Sequence, residues 1–301
     1  MTTIRVVTGQ TATGKTKHAI ELARQLDGEL VNADSRHVYR QLDIVTGKDR
    51  DEIESSGISM HLIDIVWPSQ EFSSYDYEQY ATTVINDIIS RGKTPILVGG
   101  SWLYIKHLLY GHTIQAPPNP NLRAALNRKT VQELQTMLAG MEQKYSSTAD
   151  HSYKPLNQSD SHNPHRIIRR IEILTHNQQT QTSQSTSITP KPQPSKLRSW
   201  SKVQIDGYRF GTRQALLDAI SARVQKRLEQ GALEEVTNLL AKYEASAAGL
   251  QTIGYKQLIS YIHGECSMDQ AIEEWVLREM QYAKRQYVFM KSDETITWHV
   301  I

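Results

Sequence analysis

With 301 residues the chain can form one large domain or two modest ones, and its formal net charge of +2 excludes a nucleic-acid surface built on bulk charge. The single cysteine, Cys266, excludes an intrachain disulfide and a cysteine zinc cluster, and it fits a reducing compartment. No apolar run approaches about 18 residues and no leader pattern opens the chain, so a soluble, cytoplasmic protein without a membrane span is expected.

In chain order, residues 4–8 form a short β-branched run that reads as a buried strand, and residues 15–26 carry apolar side chains at helical spacing. Between them, Gly9-Gln10-Thr11-Ala12-Thr13-Gly14-Lys15-Thr16 matches the phosphate-loop pattern G-x-x-x-x-G-K-[ST] at every fixed position. Its two glycines let the backbone curl so that successive N–H groups point at one anion, and the helix N-terminus adds its positive dipole end. Lys15 is suited to the terminal phosphates and the Thr16 hydroxyl to a magnesium ion. A bare glycine turn is the bland alternative, and the flanking strand and helix argue against it.

Residues 29–33 read as a second strand, which runs into Asp34-Ser35-Arg36-His37-Val38-Tyr39. In a doubly wound sheet such residues line the ligand crevice, which would set Asp34 beside the phosphate loop. As a helix N-cap Asp34 is equally at home, and both readings stand at this point. A third strand is expected over 61–66, stopped by Trp67-Pro68, then a serine-capped helix over 73–91 and a buried strand over 94–98. Gly99-Gly100-Ser101 then opens a helix over 102–110, either as a tight turn or as a second loop on the crevice rim.

Past Ala116-Pro117-Pro118-Asn119-Pro120, a rigid spacer, helices are expected over 121–128 and 130–144, a polar loop over 145–163, and a helix over 163–174. That last helix carries Arg166, Arg169 and Arg170 on one side, a set that could equally be a solvated face. Residues 178–199 are Gln, Thr, Ser and Pro with almost no apolar content and read as a flexible segment. An inserted, mostly helical lobe is therefore expected over 113–200, between core segments 1–112 and 201–301. Residues 202–208 return to the sheet. The helix over 213–230 carries Arg223 and Arg227 at i, i+4, able to clamp a diphosphate or to pair with Glu229 or Asp218. Helices are expected over 231–243, 253–264 and 268–291, the last mixing Tyr282, Lys284, Arg285, Gln286 and Tyr287 as single-stranded RNA recognition does.

Taken in sequence, these landmarks resemble the tRNA dimethylallyltransferases, also called tRNA isopentenyltransferases. The resemblance rests on Gly9 to Thr16, Asp34-Ser35 with Val38-Tyr39 and Asp43-Ile44, His61-Leu62-Ile63-Asp64, and Gly99-Gly100-Ser101 with Leu103-Tyr104. It continues through Arg166 with Arg169 and Glu172, Arg223 with Arg227, Ile253-Gly254-Tyr255 and Ala283-Lys284-Arg285-Gln286, and so spans nearly the whole chain. It implies an α/β fold, a P-loop kinase-like parallel sheet flanked by helices with an inserted helical lobe. It also implies transfer of a dimethylallyl group from dimethylallyl diphosphate to N6 of adenosine 37 in the tRNA anticodon stem-loop, with Mg2+, by a monomer.

By the same resemblance Asp34 is the general base, with Thr16 and Arg223 assisting catalysis and Thr16 on the metal. Gly9, Gln10, Thr11, Ala12, Thr13, Gly14, Lys15 and Thr16 hold the diphosphate. Asp34, Ser35, Arg36, His37, Ser101, Arg123, His165, Arg166, Ile167, Ile168, Arg169, Lys284 and Arg285 are the tRNA-contacting candidates. The chain departs from the family's pattern at Val45-Thr46-Gly47-Lys48, where Gly-Thr-Ala-Lys is usual. It departs again at Ser101, where Thr is usual, and at Glu279-Met280-Gln281, where Thr-Arg-Gln is usual. Competing readings are a P-loop nucleotide kinase or triphosphatase, a prenyltransferase acting on free adenine nucleotide, and an RNA-binding module with a relic loop.

Overall fold

Strands and helices alternate from the start: β1 (Thr3–Gly9), α1 (Lys15–Leu26), β2 (Gly28–Asn32), α2 (Arg50–Ser56), β3 (Met60–His61), α3 (Ser74–Ser90), β4 (Thr94–Val98) and α4 (Trp102–Tyr110). Three helices follow, α5 (Pro120–Leu126), α6 (Val131–Ser146) and α7 (Pro164–Gln181). The chain then returns through β5 (Lys202–Arg209), α8 (Arg213–Glu229), α9 (Ala232–Leu240), α10 (Tyr255–Ile262), α11 (Met268–Met290) and β6 (Ile296–Val300). This computed structural model describes residues 3–111, 116, 119–146, 156–158, 160–181 and 202–301. It divides into two units, Met1–Gly111 with Pro194–Ile301, and His112–Gln193.

In the first unit the six strands form one parallel sheet in the order β3-β2-β4-β1-β5-β6. A parallel sheet needs crossovers that cover both its faces, so its strands are apolar on both sides. Val7, Leu30, Ile96 and Val98 pack on one face against Ala19, Ile20 and Ala23 of α1. Their neighbours Val6, Val31 and Leu97 point the other way, into a larger core with Tyr77, Ile85, Ile105, Val224 and Trp275. β1 lies between β4 and β5 while the chain continues from α1 to β2, so the loop after β1 opens where the strand order reverses.

The strand expected over 61–66 ends after His61. Leu62 and Asp64 have φ of 61° and 57°, which no extended strand tolerates, and only the Tyr39–Val66 bridge continues the pairing. The Asp64 carboxylate is drawn instead to Lys48 and to Arg50, the latter at 2.5 Å. Helix α2 and strand β6 are elements the sequence pattern did not announce, although Ile296, Thr297, Trp298 and Val300 are good β-formers. Residues 178–181 belong to α7 rather than to the flexible segment expected there, and the rest of that segment lies outside the described residues. Likewise 145–146 extend α6 and Asp160–His162 form a short 3-10 turn inside the expected loop.

The second unit has its own core, in which Leu126, Leu134 and Leu138 meet Ile167, Ile168, Ile171 and Leu174. Asn119 caps α5, accepting the Leu122 N–H at 3.0 Å.

Candidate active site

The phosphate loop is shaped by what surrounds it. At Gly9 φ is 132° and an added Cβ would lie 2.1 Å from the Tyr208 carbonyl oxygen, so only glycine leaves the strand here against β5. The chain then folds over itself, with Thr13 Oγ1 and Lys15 Nζ both donating to the Gln10 carbonyl, at 2.8 and 2.5 Å. α1 starts at Lys15 with no side-chain cap, which leaves its first N–H groups and its positive dipole end available to an anion. From the far end of the sequence, Gln286 Oε1 accepts the Thr11 N–H at 2.8 Å, and its Nε2 donates to the Gly100 carbonyl at 3.1 Å.

Asp34 follows β2 in a turn fixed by side chains rather than in a helix. The Asp34 N–H donates to Asn32 Oδ1 at 2.9 Å, and Asp34 Oδ1 accepts the Arg36 N–H at 2.9 Å, so capping of a regular helix is not its role. Ser101 Oγ accepts the Ser35 N–H at 2.8 Å and donates to Ser35 Oγ at 3.0 Å, which ties the second glycine turn to the first crevice turn. Desolvation works against the Asp34 charge. The positive field of His37 and Arg36, the Arg36 N–H and Lys15 outweigh it and hold the carboxyl below the usual carboxylate range. His37 is itself pushed down by desolvation, its Nε2 resting 3.2 Å from the Thr46 carbonyl oxygen.

Both arginines of α8 turn inward. Arg223 Nη1 donates to Thr11 Oγ1 at 2.7 Å, and Arg227, 3% exposed, donates from Nη2 to the Thr46 carbonyl at 3.0 Å. Neither pairs with Glu229 or Asp218, which bond to Gln225 and Gln214 instead. Gly47, one of the departures from the family pattern, lies directly against both guanidinium groups. A Cβ there would lie 2.5 Å from Arg227 Nη2 and 2.6 Å from Arg223 Nη2. The Lys15 ammonium, desolvated and facing Arg223, is pulled down to about 8.

These groups share one cavity of about 380 Å³, whose wall includes Thr11, Lys15, Thr16, Asp34, Asp49 and Arg223. Asp49 was not among the expected residues, and its Oδ2 accepts the Thr16 hydroxyl at 3.0 Å. Nor was Glu279, a buried carboxylate 3.1 Å from Arg36 Nη1 and 3.7 Å from Arg227 Nη1, while the Arg36 guanidinium stacks 4.3 Å over the Tyr282 ring. Thus the Glu279 departure supplies the counter-charge for two buried arginines. Its helical spacing with Tyr282 and Gln286 was the available signal for an inward face of α11.

The remaining candidates are spread more widely. Lys284 and Arg285 are exposed on α11. His165 and Arg166 are exposed in the second unit, where Arg166 pairs with Asp160 at 3.1 Å. Arg123 and Arg169 both engage Glu172, Arg123 Nε at 3.0 Å, and Arg169 also donates to the Ala116 carbonyl at 2.7 Å. Ile167 and Ile168 are 0% and 5% exposed in that unit's core, which removes their side chains from any RNA surface. The apolar periodicity of α7 governs those two positions, and the adjacent arginines carry the polar face.

A family model described as IPP transferase matches residues 37–293. The chain belongs to the IPP transferase family. The tRNA dimethylallyltransferase of Staphylococcus haemolyticus is 35% identical, over 97% of this chain and 85% of its own length. Two solved structures carry the family's fold. The full-length tRNA isopentenylpyrophosphate transferase of Bacillus halodurans matches with a TM-score of 0.69 at 29% identity, covering 99% of this chain and 89% of that one. The tRNA delta(2)-isopentenylpyrophosphate transferase of Staphylococcus epidermidis gives 0.67 at 30% identity, over 100% and 93%. The α/β fold implied by the resemblance, a P-loop-like parallel sheet flanked by helices, is the fold of this chain.

Proposed function

We infer that this chain is a tRNA dimethylallyltransferase, an enzyme that moves the five-carbon group of dimethylallyl diphosphate onto N6 of adenosine 37, next to the anticodon. The observation that carries this reading is a single cavity shared by the phosphate loop, Arg223 and the Asp34 carboxylate in a chain of the IPP transferase family. Phosphate groups alone would suit a nucleotide kinase, but family membership favours prenyl transfer.

In the proposed reaction the adenine amine attacks C1 of the dimethylallyl group, and the C–O bond breaks with its electron pair leaving on the diphosphate. The amine proton passes to an Asp34 carboxylate oxygen. An exocyclic adenine amine is a poor nucleophile because its lone pair is delocalised into the ring, so the base must be close and ionised. Asp34 meets the second need, since its neighbours hold it in the charged form. Lys15, Arg223, the loop amides and the N-terminus of α1 would neutralise the charge that grows on the leaving diphosphate, from positions fixed before reaction.

The donor chemistry suits magnesium, which seeks hard oxygen ligands. Thr16 offers a hydroxyl on the cavity wall, and diphosphate oxygens and water would complete the shell. Bound there, the ion would add to the neutralisation of the leaving group. The adenosine must also leave its stack, which costs a few kcal/mol that RNA contacts elsewhere offset. Exposed Lys284 and Arg285, with His165 and Arg166 in the second unit, are the candidates for those contacts. Among the described residues no helix is long and apolar enough to cross a membrane. A cytoplasmic monomer is part of the same proposal, its oligomeric state checked by sedimentation.

The test is to incubate the protein with dimethylallyl diphosphate, magnesium and unmodified tRNA whose anticodon loop has adjacent adenosines, then digest and weigh the nucleosides. Parallel reactions offer AMP with the donor, and ATP without it. Prenylated adenosine from the tRNA reaction alone is expected. ATP turnover without prenylation would move the chain to the kinase reading, and prenylated AMP would move it to a free-nucleotide prenyltransferase.

A further inference from the structure

Asp49 is one of three carboxylates, with Asp34 and Glu52, on the wall of a cavity that also collects cations. Lys15, Arg223, Lys226 and Arg227 line the same walls, as a diphosphate site requires, and a carboxylate among them repels a diphosphate unless a cation lies between. The Asp49 charge favours the protonated forms of Lys15, His37 and Arg227, but its oxygens have little hydrogen-bonding work. Asp49 stands at the N-cap of α2, a position where aspartate normally accepts a backbone N–H, yet it makes no capping bond and holds φ at 49°. The flanking cations are committed elsewhere. Lys48 Nζ bonds to Asp43 at 2.7 Å and also to Asp64, and Arg50 bonds to the same two carboxylates at 2.7 and 2.5 Å. Asp49 itself has no ion pair among the described residues, and the one hydrogen bond its carboxylate accepts comes from Thr16 Oγ1 at 3.0 Å.

That distance has a second meaning. Magnesium binds oxygens at about 2.0–2.1 Å in a near-ideal octahedron, so ligands on adjacent vertices lie about 2.9 Å apart. We propose that Asp49 and Thr16 together form a divalent-cation site, Asp49 supplying an anionic oxygen and Thr16 a neutral one on neighbouring vertices. The inference rests on the reading of this cavity as a diphosphate site, and it adds a protein carboxylate to an ion that would otherwise be held by one hydroxyl and its ligand. Asp49, at the N-cap of the short helix α2, lines the cavity with Thr16.

The test measures pyrophosphate binding by calorimetry with and without Mn2+, an ion that shares magnesium's preference for oxygen donors, in the wild-type protein and in D49N, D49A and T16A. D49N keeps an oxygen that can accept the Thr16 hydroxyl but loses the charge. We expect Mn2+ to strengthen pyrophosphate binding to the wild type, and D49N and D49A to lose about tenfold or more of that enhancement. Metal-free pyrophosphate should bind D49N as well as or better than wild type, which also reports that the cavity is intact. If D49N keeps the full Mn2+ enhancement and only D49A loses it, Asp49 merely orients Thr16 and the cation assignment is wrong. A wild-type protein that binds pyrophosphate equally with and without Mn2+ would also overturn it. If the wild type binds no pyrophosphate under either condition, the diphosphate reading of the cavity itself fails.

Discussion

Replacing Asp34 by asparagine is the most direct probe of the chemistry, because the structure separates its geometry from its charge. The Asp34 carboxylate accepts one backbone N–H, from Arg36 at 2.9 Å, and an asparagine Oδ1 can accept the same bond. The Asp34 N–H stays on Asn32, and the Ser35 to Ser101 bonds are untouched. What is lost is the base and its negative charge. General-base catalysis contributes about 10²–10⁴ in rate, equivalent to about 2.7–5.5 kcal/mol of activation free energy. D34N should therefore lower single-turnover prenyl transfer by that factor while RNA affinity changes little. Because its surroundings hold Asp34 below the ordinary carboxylate range, the wild-type rate should show no acid limb from this group above about pH 4. Rapid-quench turnover with saturating tRNA measures both. A D34N rate within threefold of wild type would refute the assignment of Asp34 as the base.

Three further outcomes follow from the cavity's electrostatics. Lys15 titrates near 8 because desolvation and Arg223 disfavour its charge, so at pH 8 about half the free enzyme has it neutral. Diphosphate binding favours the charged form, should draw in about half a proton, and should weaken as pH rises through 8. Calorimetry of prenyl diphosphate binding in buffers of different ionisation enthalpy reads this, and no buffer dependence would contradict it. Arg223→Met should raise the Kd for prenyl diphosphate by about 10- to 100-fold, the worth of a charge-assisted bond, and an unchanged Kd would remove Arg223 from the clamp. Glu279→Gln strands two buried arginines and should cost about 3–5 kcal/mol in urea unfolding, whereas a loss below about 1 kcal/mol would mean that Arg36 and Arg227 find other compensation.

What the sequence revealed and what it hid divide along contact range. The phosphate loop was legible because all its parts are adjacent, from the glycine that leaves β1 to the hydroxyl of Thr16 on α1. Strands β1, β2 and β4 were legible because burial on both faces makes them mostly apolar, and β5 because Val203 and Ile205 alternate with polar residues. β3 was overextended because the apolar run 61–66 hides two left-handed residues, whose conformation follows from Asp64 seeking Lys48 and Arg50. Asp49 was hidden because its contact with Thr16 spans 33 residues and no local pattern marks it. Ile167 and Ile168 were grouped with an RNA-facing segment by the resemblance, while their own spacing already placed them on the apolar stripe of α7. The basic pair Lys284 and Arg285 drew attention on α11, yet the residues of that helix that line the cavity are Tyr282 and Gln286, with Glu279 buried against Arg36 and Arg227.

One side-chain amide, Gln286, holds the phosphate loop from 275 residues away. Closing a chain segment of that length costs on the order of 5 kcal/mol of entropy, which the loop cannot recover from its own few bonds. The nest for the phosphates is therefore finished by docking of α11, and a nascent chain that has made only the motif lacks one of the bonds that shape it. Linkage runs in the other direction as well. A ligand seated on Thr11 and Lys15 favours the docked state of α11, so substrate at the beginning of the sequence protects the last long helix from fraying and from proteases.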